Sequence, residues 1–403
     1  MHQRIILSSI LLGIFLNLAC IAVYLFPSVG GGTDSGGVLG TIYIVVIAAI
    51  VIVSFTNLTS SFFSTNKYTW VSIIYILGFY YYSITVYPEP RTPFNLFVVF
   101  SIVSMTLPSI VKVDIRWVLL AIMFSTIPAL LHINTIFFST EISYTSDDIL
   151  SQGYSYAFLT PVVSTIVYIK YFWKLDTGKN RVIINIAIII NLLFAYFLIK
   201  LGSRGPVLAL ISLIAIPYIF DVGLNMQGVR VKKMRTLCLV ILMVFLALFF
   251  VPILTAIQNI LSESNLSMHF IDKFIIRNEV GDITSERTDI FDMAMNGFYN
   301  HPWIGNGFDQ FYNNTGRGYP HNFITQTLYD GGILLFSVTI LPVSIYLKKW
   351  FRDCSFNEYI IILALFFASV PGALFSHDLW EIGNLWFFYG AVLNYKKLVH
   401  AVL

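Results

Sequence analysis

The sequence predicts an all-α polytopic membrane protein with about twelve transmembrane helices. Two observations carry that fold class. Hydrophobic residues make up 57% of the 403 and charged residues only 11%, against roughly 25% charged in a soluble domain. The apolar residues also fall in continuous runs, not in the period-two alternation of a membrane β-barrel. A chain this apolar would expose large greasy patches in water. That excludes an ordinary cytosolic enzyme, a disordered protein and a disulfide-stapled module. The net charge of +3 is too small to imply a nucleic-acid partner. The three cysteines, Cys20, Cys238 and Cys354, have no metal-ligand spacing and read as packing residues.

A helix needs about 20 apolar residues to cross a bilayer. The first six spans are expected near Ile5–Phe26, Val38–Phe55, Tyr68–Tyr87, Phe94–Val111, Trp117–Phe138 and Tyr154–Phe172. The other six are expected near Val182–Leu201, Pro206–Phe220, Thr236–Ile257, Asn322–Leu347, Tyr359–Phe375 and Leu385–Leu393 with its flanks. The first run is too long for a signal-peptide core and lacks a small-x-small cleavage site, so it reads as a helix. Residues 1–403 therefore read as a single integral membrane domain. The stretch 258–320 is by far the longest connection, a loop between the ninth and tenth spans with room for part of a site.

Orientation follows from the Lys and Arg bias. With both termini cytoplasmic, 17 of the 24 basic residues fall inside. Arg91, Lys200, Arg204, Lys273, Arg277, Arg287 and Arg317 remain outside. Arg91 and Lys273 read as lipid-phosphate or solvated charges.

Arg204 lies in Gly202-Ser203-Arg204-Gly205-Pro206, a tight turn between two spans. Pro206 suits a first helical turn and Ser203 a cap. Such a turn presents free backbone N–H groups and a positive dipole end, and Arg204 adds a fork matched to phosphate oxygens. Lys200, four residues earlier, shares its face. Together they form a candidate anion socket, although Arg204 alone is equally explained by snorkelling to headgroups.

Arg287 precedes Ile290, Met293, Ala294 and Phe298 at helical spacing. It thus falls in a first turn, where the macrodipole disfavours a cation; Glu286 or Asp289 would neutralise it in a purely structural arrangement. Arg277 ends an amphipathic stretch (Leu266, Phe270, Phe274) of the kind that lies on a membrane surface, and is a further candidate. His321 opens the tenth span between Pro320 and Asn322, a good cap. A helix N-terminus and neighbouring arginines both disfavour its protonation, and a neutral imidazole accepts a proton at pH 7. The other six histidines, His2, His132, His269, His301, His377 and His400, lack this setting and read as structural or surface residues. His301-Pro302-Trp303-Ile304-Gly305-Asn306-Gly307-Phe308 reads as a turn packing the loop onto the membrane domain, a phosphate cradle being weakly supported by so short a Gly-x-Gly. Tyr329-Asp330-Gly331-Gly332 is expected to break the tenth span near its outer end.

In order, the Ser-Arg-Gly-Pro turn, the Arg287 segment, Pro302–Phe308, Tyr319-Pro320-His321-Asn322 and Gly331-Gly332 resemble the O-antigen polymerase (Wzy) and O-antigen ligase (WaaL) superfamily of bacterial envelope polysaccharide enzymes. The motifs cover Lys200 to Gly332. The resemblance implies a GT-C type, inverting glycosyltransferase on the periplasmic face of the inner membrane. Its substrates would be undecaprenyl-diphosphate-linked oligosaccharides as donor and acceptor, without a nucleotide sugar, a cofactor or a metal. It further implies contacts with membrane lipids and with a chain-length regulator protein. Carried over, Arg204 and Arg287 hold the donor diphosphate, and His321 activates the acceptor hydroxyl or organises the site. Lys200, Ser203, Arg277 and Asn322 bind or orient around them. The Ser-Arg-Gly-Pro and Tyr-Pro-His-Asn forms favour the polymerase over the ligase. The alternatives from other classes are a transporter of lipid-linked oligosaccharide and a glycosyltransferase with a carboxylate base at Asp34 or Asp147-Asp148. A transporter would place its ionisable residues near the bilayer midplane, whereas here the cations gather at one face.

Overall fold

The computed structural model describes residues 2–18, 21, 42, 44–54, 65–87, 90, 92–132, 148–201, 204–221, 228–263, 275, 287–375 and 378–398. The described chain is a bundle of apolar helices. In order they are α1 (His2–Leu16), α2 (Ile44–Ser54), α3 (Lys67–Val86), α4 (Phe94–Ile110), α5 (Ile115–Phe124), α6 (Asp148–Tyr171) and α7 (Gly178–Leu201). Then follow α8 (Arg204–Ile219), α9 (Lys233–Leu248), α10 (Phe250–Glu263), α11 (Arg287–Asn300) and α12 (Phe311–Thr315). The chain closes with α13 (Phe323–Asp353), α14 (Phe356–Phe375), α15 (Gly383–Leu393) and α16 (Tyr395–Leu398). Between α8 and α9 a two-residue antiparallel ladder pairs β1 (Phe220–Asp221) with β2 (Arg230–Val231).

Among the described residues four helices are long and apolar enough to cross a membrane: Lys67–Val86, Gly178–Ile199, Phe323–Asp353 and Phe356–Phe375. The apolar helices Gln3–Leu16, Ile44–Ser54, Phe94–Ile110, Ile115–Leu131 and Gly205–Ile219 are shorter. The run expected to be one span over Thr236–Ile257 is split at Phe249 into α9 and α10. Pro252 lies in the first turn of α10, where it has no N–H to continue the ladder. Helix α10 then continues past Gln258 to Glu263. Helix α14 is the central element, buried along almost its whole length.

The two ends of the bundle differ in chemistry. At one end, Asn66 bonds the Leu393 carbonyl (2.8 Å) and the Val113 N–H donates to Leu398 (2.9 Å). Gly228 and Val229 donate to Cys354 and Phe351 (both 2.8 Å), and Arg116 pairs with the buried Asp176. Lys396 reaches the Asp353 carbonyl (2.7 Å). The basic connections around residues 67, 112–116, 170–181, 230–235, 348–352 and 396–397 therefore share this end. Helices α3, α13 and α14 run between it and the opposite end, where the candidate site lies.

Candidate functional site

The distal end is assembled around a break in α13. Gly332 has φ +62° and ψ −158° inside the helix, conformations that cost L-residues with side chains. The break frees two backbone N–H groups and two carbonyls, and segment 301–310 fills it. Ile333 and Leu334 donate to the carbonyls of Pro302 (2.8 Å) and Trp303 (3.2 Å). Asn306 and Gly307 donate to Tyr329 and Asp330 (2.9 Å each). A Cβ on Gly332 would lie 2.5 Å from the Trp303 backbone. The Gly-x-Gly run is thus a docking strip for a helix break, in keeping with the packing turn expected from the sequence.

Phe308 fixes the other end of that strip. It is fully buried, with its ring 4.3 Å from Trp380, 4.8 Å from Tyr80 and 5.0 Å from Phe97. Its N–H donates to Ser83 Oγ (2.8 Å). Next to it the buried Asp309 accepts from the Thr92 N–H (2.7 Å) and Oγ1 (3.0 Å).

This scaffold positions Arg287 and His321. Helix α11 begins at Arg287 and buries Ile290 and Ala294 against α13. Gly297 continues that face, its Cα close against the Tyr329 ring. Met293, expected on the inward face, is exposed, because the contact follows the i, i+4, i+7 line. His321 has φ +56°; among the described residues only it and Asp309 combine a side chain with positive φ. Strain of this kind persists where the surroundings over-determine it. Here Asn322 does so: its Oδ1 accepts from Ile324 (2.9 Å) and Thr325 (3.4 Å), capping α13. That oxygen is therefore engaged on the backbone and not on the imidazole.

The His321 ring packs 4.4 Å from the Tyr319 ring, and its Nδ1 is buried without a hydrogen-bond partner among the described residues. Its pKa is lowered from 6.5 to about 4, chiefly by burial and then by the positive charge of Arg287. The two residues thus lie within electrostatic reach, and the imidazole is neutral, as the sequence indicated. Arg287 forms no ion pair with Asp289. Glu286 lies outside the described residues.

Helix α8 starts at the same end. Gly205 sits close to the Tyr156 hydroxyl and to Phe375, whose Cβ would be 3.2 Å from an added Cβ, so a side chain there would push both aside. Three residues on from Phe375, Asp378 accepts from Gln326 Nε2 (2.9 Å), and Leu379 N–H donates to Gln326 Oε1 (2.8 Å). Gln326 itself donates its N–H to the Asn322 carbonyl (2.9 Å). The start of α8 thus packs on the end of α14, and the start of α13 is bonded to Asp378 and Leu379 just beyond it. The side chains of Lys200 and Arg204 lie outside the described residues, as do Ser203, Arg277, Asp34, Asp147 and the side chain of Asp148.

Sequence reasoning missed Asp330, Asp378, Gln326 and Trp380. Asp330 is completely buried; one carboxylate oxygen accepts from Trp380 Nε1 (2.8 Å) and the other has no hydrogen-bond partner in the described structure. The available signal was an ionisable residue inside an apolar run. Of the aromatic residues in this region, Phe308 and Phe311 are core residues, whereas Tyr299, Trp303 and Tyr312 are exposed. Among the described residues no group of His, Cys, Asp and Glu is arranged to hold a metal ion.

Residues 189–340 match the family model Wzy_C, described as O-antigen ligase. The matched segment belongs to the O-antigen polymerase and ligase superfamily. A comparison with curated proteins finds no match. The Wzy_C segment starts within α7 and ends within α13, so it contains Arg204, Arg287, His321, Asn322 and the Gly332 break. Thr92, Asp378 and Trp380, which brace those elements, lie outside it. The match covers 152 of the 403 residues.

Proposed function

We propose that the protein is an O-antigen polymerase, moving the growing undecaprenyl-diphosphate-linked glycan onto the next lipid-linked repeat unit. The observation that carries this reading is a half-buried, neutral His321 within electrostatic reach of Arg287, inside the family segment and at the end of the bundle opposite the basic connections. In this reading the chain has about twelve spans of GT-C type, both termini are cytoplasmic and the site is periplasmic, with loop 258–320 contributing Arg287.

The acceptor hydroxyl oxygen attacks the anomeric carbon of the donor glycan. The bond from that carbon to the diphosphate oxygen breaks in line, with inversion, and the lipid diphosphate departs. His321 takes the hydroxyl proton. Arg204 and Arg287 stabilise the charge growing on the leaving group, aided by the N-terminus of α8, with Lys200, Ser203 and Arg277 around the phosphates and Asn322 fixing the turn that carries His321. Preorganised cations supply this stabilisation without reorganising during the step, so the reaction as proposed needs no metal or cofactor. A chain-length regulator would be its protein partner.

The ligase is the second reading, because the matched family model carries that description. The two are separated by the intermediate that accumulates on gene deletion. Single repeat units on lipid A–core indicate a lost polymerase; long chains left on undecaprenyl diphosphate indicate a lost ligase. For the site itself, purified His321→Ala protein is expected to bind lipid-linked donor and to lose turnover. Full activity in that variant removes the role given to His321.

A further inference from the structure

The backbone bonds that fill the break in α13 also set how deep segment 301–310 reaches. Trp303 is bonded to Leu334, two residues beyond the break at Gly332. Ile333 and Leu334 are each 41% exposed. From there an exposed apolar stripe runs down α13 through Leu341 and Ile345 and ends at the exposed Lys348 and Lys349. From residue 334 to residue 348 the helix rises about 21 Å, at roughly 1.5 Å per residue. The hydrocarbon core of a bilayer is about 30 Å thick. With the lysines at one membrane face, Leu334 falls short of the other face, and any tilt brings it deeper.

Trp303 and Ile304 lie at that same level and are 67% and 44% exposed. Their surface continues the stripe of α13 that faces lipid. An indole at such a depth has its apolar body in the acyl region and its N–H within reach of headgroup oxygens. We propose that Pro302-Trp303-Ile304 is a wedge seated in the interfacial zone of the bilayer beside α13, and that its partner is the lipid surface itself. The wedge fixes the height of the lobe bearing Arg287 and His321 relative to the headgroup phosphates. The inference rests on α13 crossing the membrane and not on the proposed glycan chemistry, so the two can fail separately.

Nitroxide labels in the full chain reconstituted in phosphatidylethanolamine–phosphatidylglycerol nanodiscs test it. In a background with Cys20, Cys238 and Cys354 replaced by alanine, single cysteines are placed by Ile304→Cys, Leu341→Cys and Asp292→Cys. Leu341 is the reference for lipid and the exposed Asp292 on α11 the reference for water. The ratio of relaxation by oxygen to relaxation by a water-soluble nickel chelate is expected to be severalfold higher at 304 than at 292, and close to that at 341. A ratio at 304 equal to that at 292 overturns the wedge. Quenching of a fluorophore on the same Ile304→Cys site by brominated lipids gives the second measurement; strong quenching supports the wedge, and none counts against it.

Discussion

His321 offers the sharpest test of the site, because its ionisation has two separable causes. Burial is the larger and the charge of Arg287 the smaller, and together they hold the pKa at about 4 instead of 6.5. At pH 7 the gap of about three units leaves roughly one imidazole in a thousand protonated. Arg287→Gln removes the charge and keeps a polar side chain, so the midpoint is expected to rise. It should stay below 6.5, because the burial of the ring remains. Titration of isotopically labelled histidine by NMR in nanodiscs reads this directly, with His321→Asn identifying the resonance. An unchanged midpoint in Arg287→Gln means that the two residues do not communicate. A full return to 6.5 means that burial is not the main cause. A bound diphosphate, by offsetting the field of Arg287, should also raise the midpoint and so make His321 a better base when donor is present. The same shift fixes the sign of the stability effect. Between about pH 6.5 and 4 the unfolded state binds the proton that the native imidazole refuses, so stability falls as pH drops through this window and is fully present above it.

Gly332→Ala places a side chain at φ +62° and 2.5 Å from the Trp303 backbone; a loss of at least about 1–3 kcal/mol is expected in thermal unfolding in detergent, and a change near zero would mean the break is not held as described. Asn322→Ala removes the cap of α13 and should cost about 1 kcal/mol, whereas Asn322→Asp, which keeps the acceptor, should cost less. Trp380→Phe takes the indole donor from Asp330, leaving a fully buried carboxyl without that partner. A destabilisation of about 1–3 kcal/mol follows, and combining it with Asp330→Asn should recover part of it in a double-mutant cycle.

Local chemistry made much of this region legible. Asn322 was recognisable as a cap because a short polar side chain before an apolar run has few other uses. The Gly331-Gly332 break was visible because paired glycines weaken a helix at that point. The neutrality of His321 was expected from a helix start and nearby cations, but burial of the ring, which has no local signal in the sequence, is its larger cause. What occupied the break was not legible: the pairing of residues 302–307 with residues 329–334 is a matter of backbone groups, which every sequence carries alike. For the same reason Phe308 could not be told from a solvent-facing aromatic, because its burial depends on Tyr80, Phe97 and Trp380 meeting from three distant segments. The clamp of Gln326 on residues 378–379 likewise joins positions with no local signature.

Under the proposed reading, these long-range ties are what would make a site precise although its cations sit in a connection between spans. Arg287 is carried by a helix whose C-terminal end is bonded into α13 at the break, while His321 stands at the start of that same α13. A rigid break therefore couples the two residues through one helix, and a flexible one would let them drift apart. Phe375, at the end of α14, rests against Gly205, and Asp378 and Leu379 are gripped by Gln326. Arg204 opens the helix that Gly205 packs, so its backbone is referenced to His321 through two hydrogen bonds and one close contact. Glycine and aspartate thus set how the backbone at Arg204, Arg287 and His321 is placed, which is what the proposed diphosphate chemistry depends on.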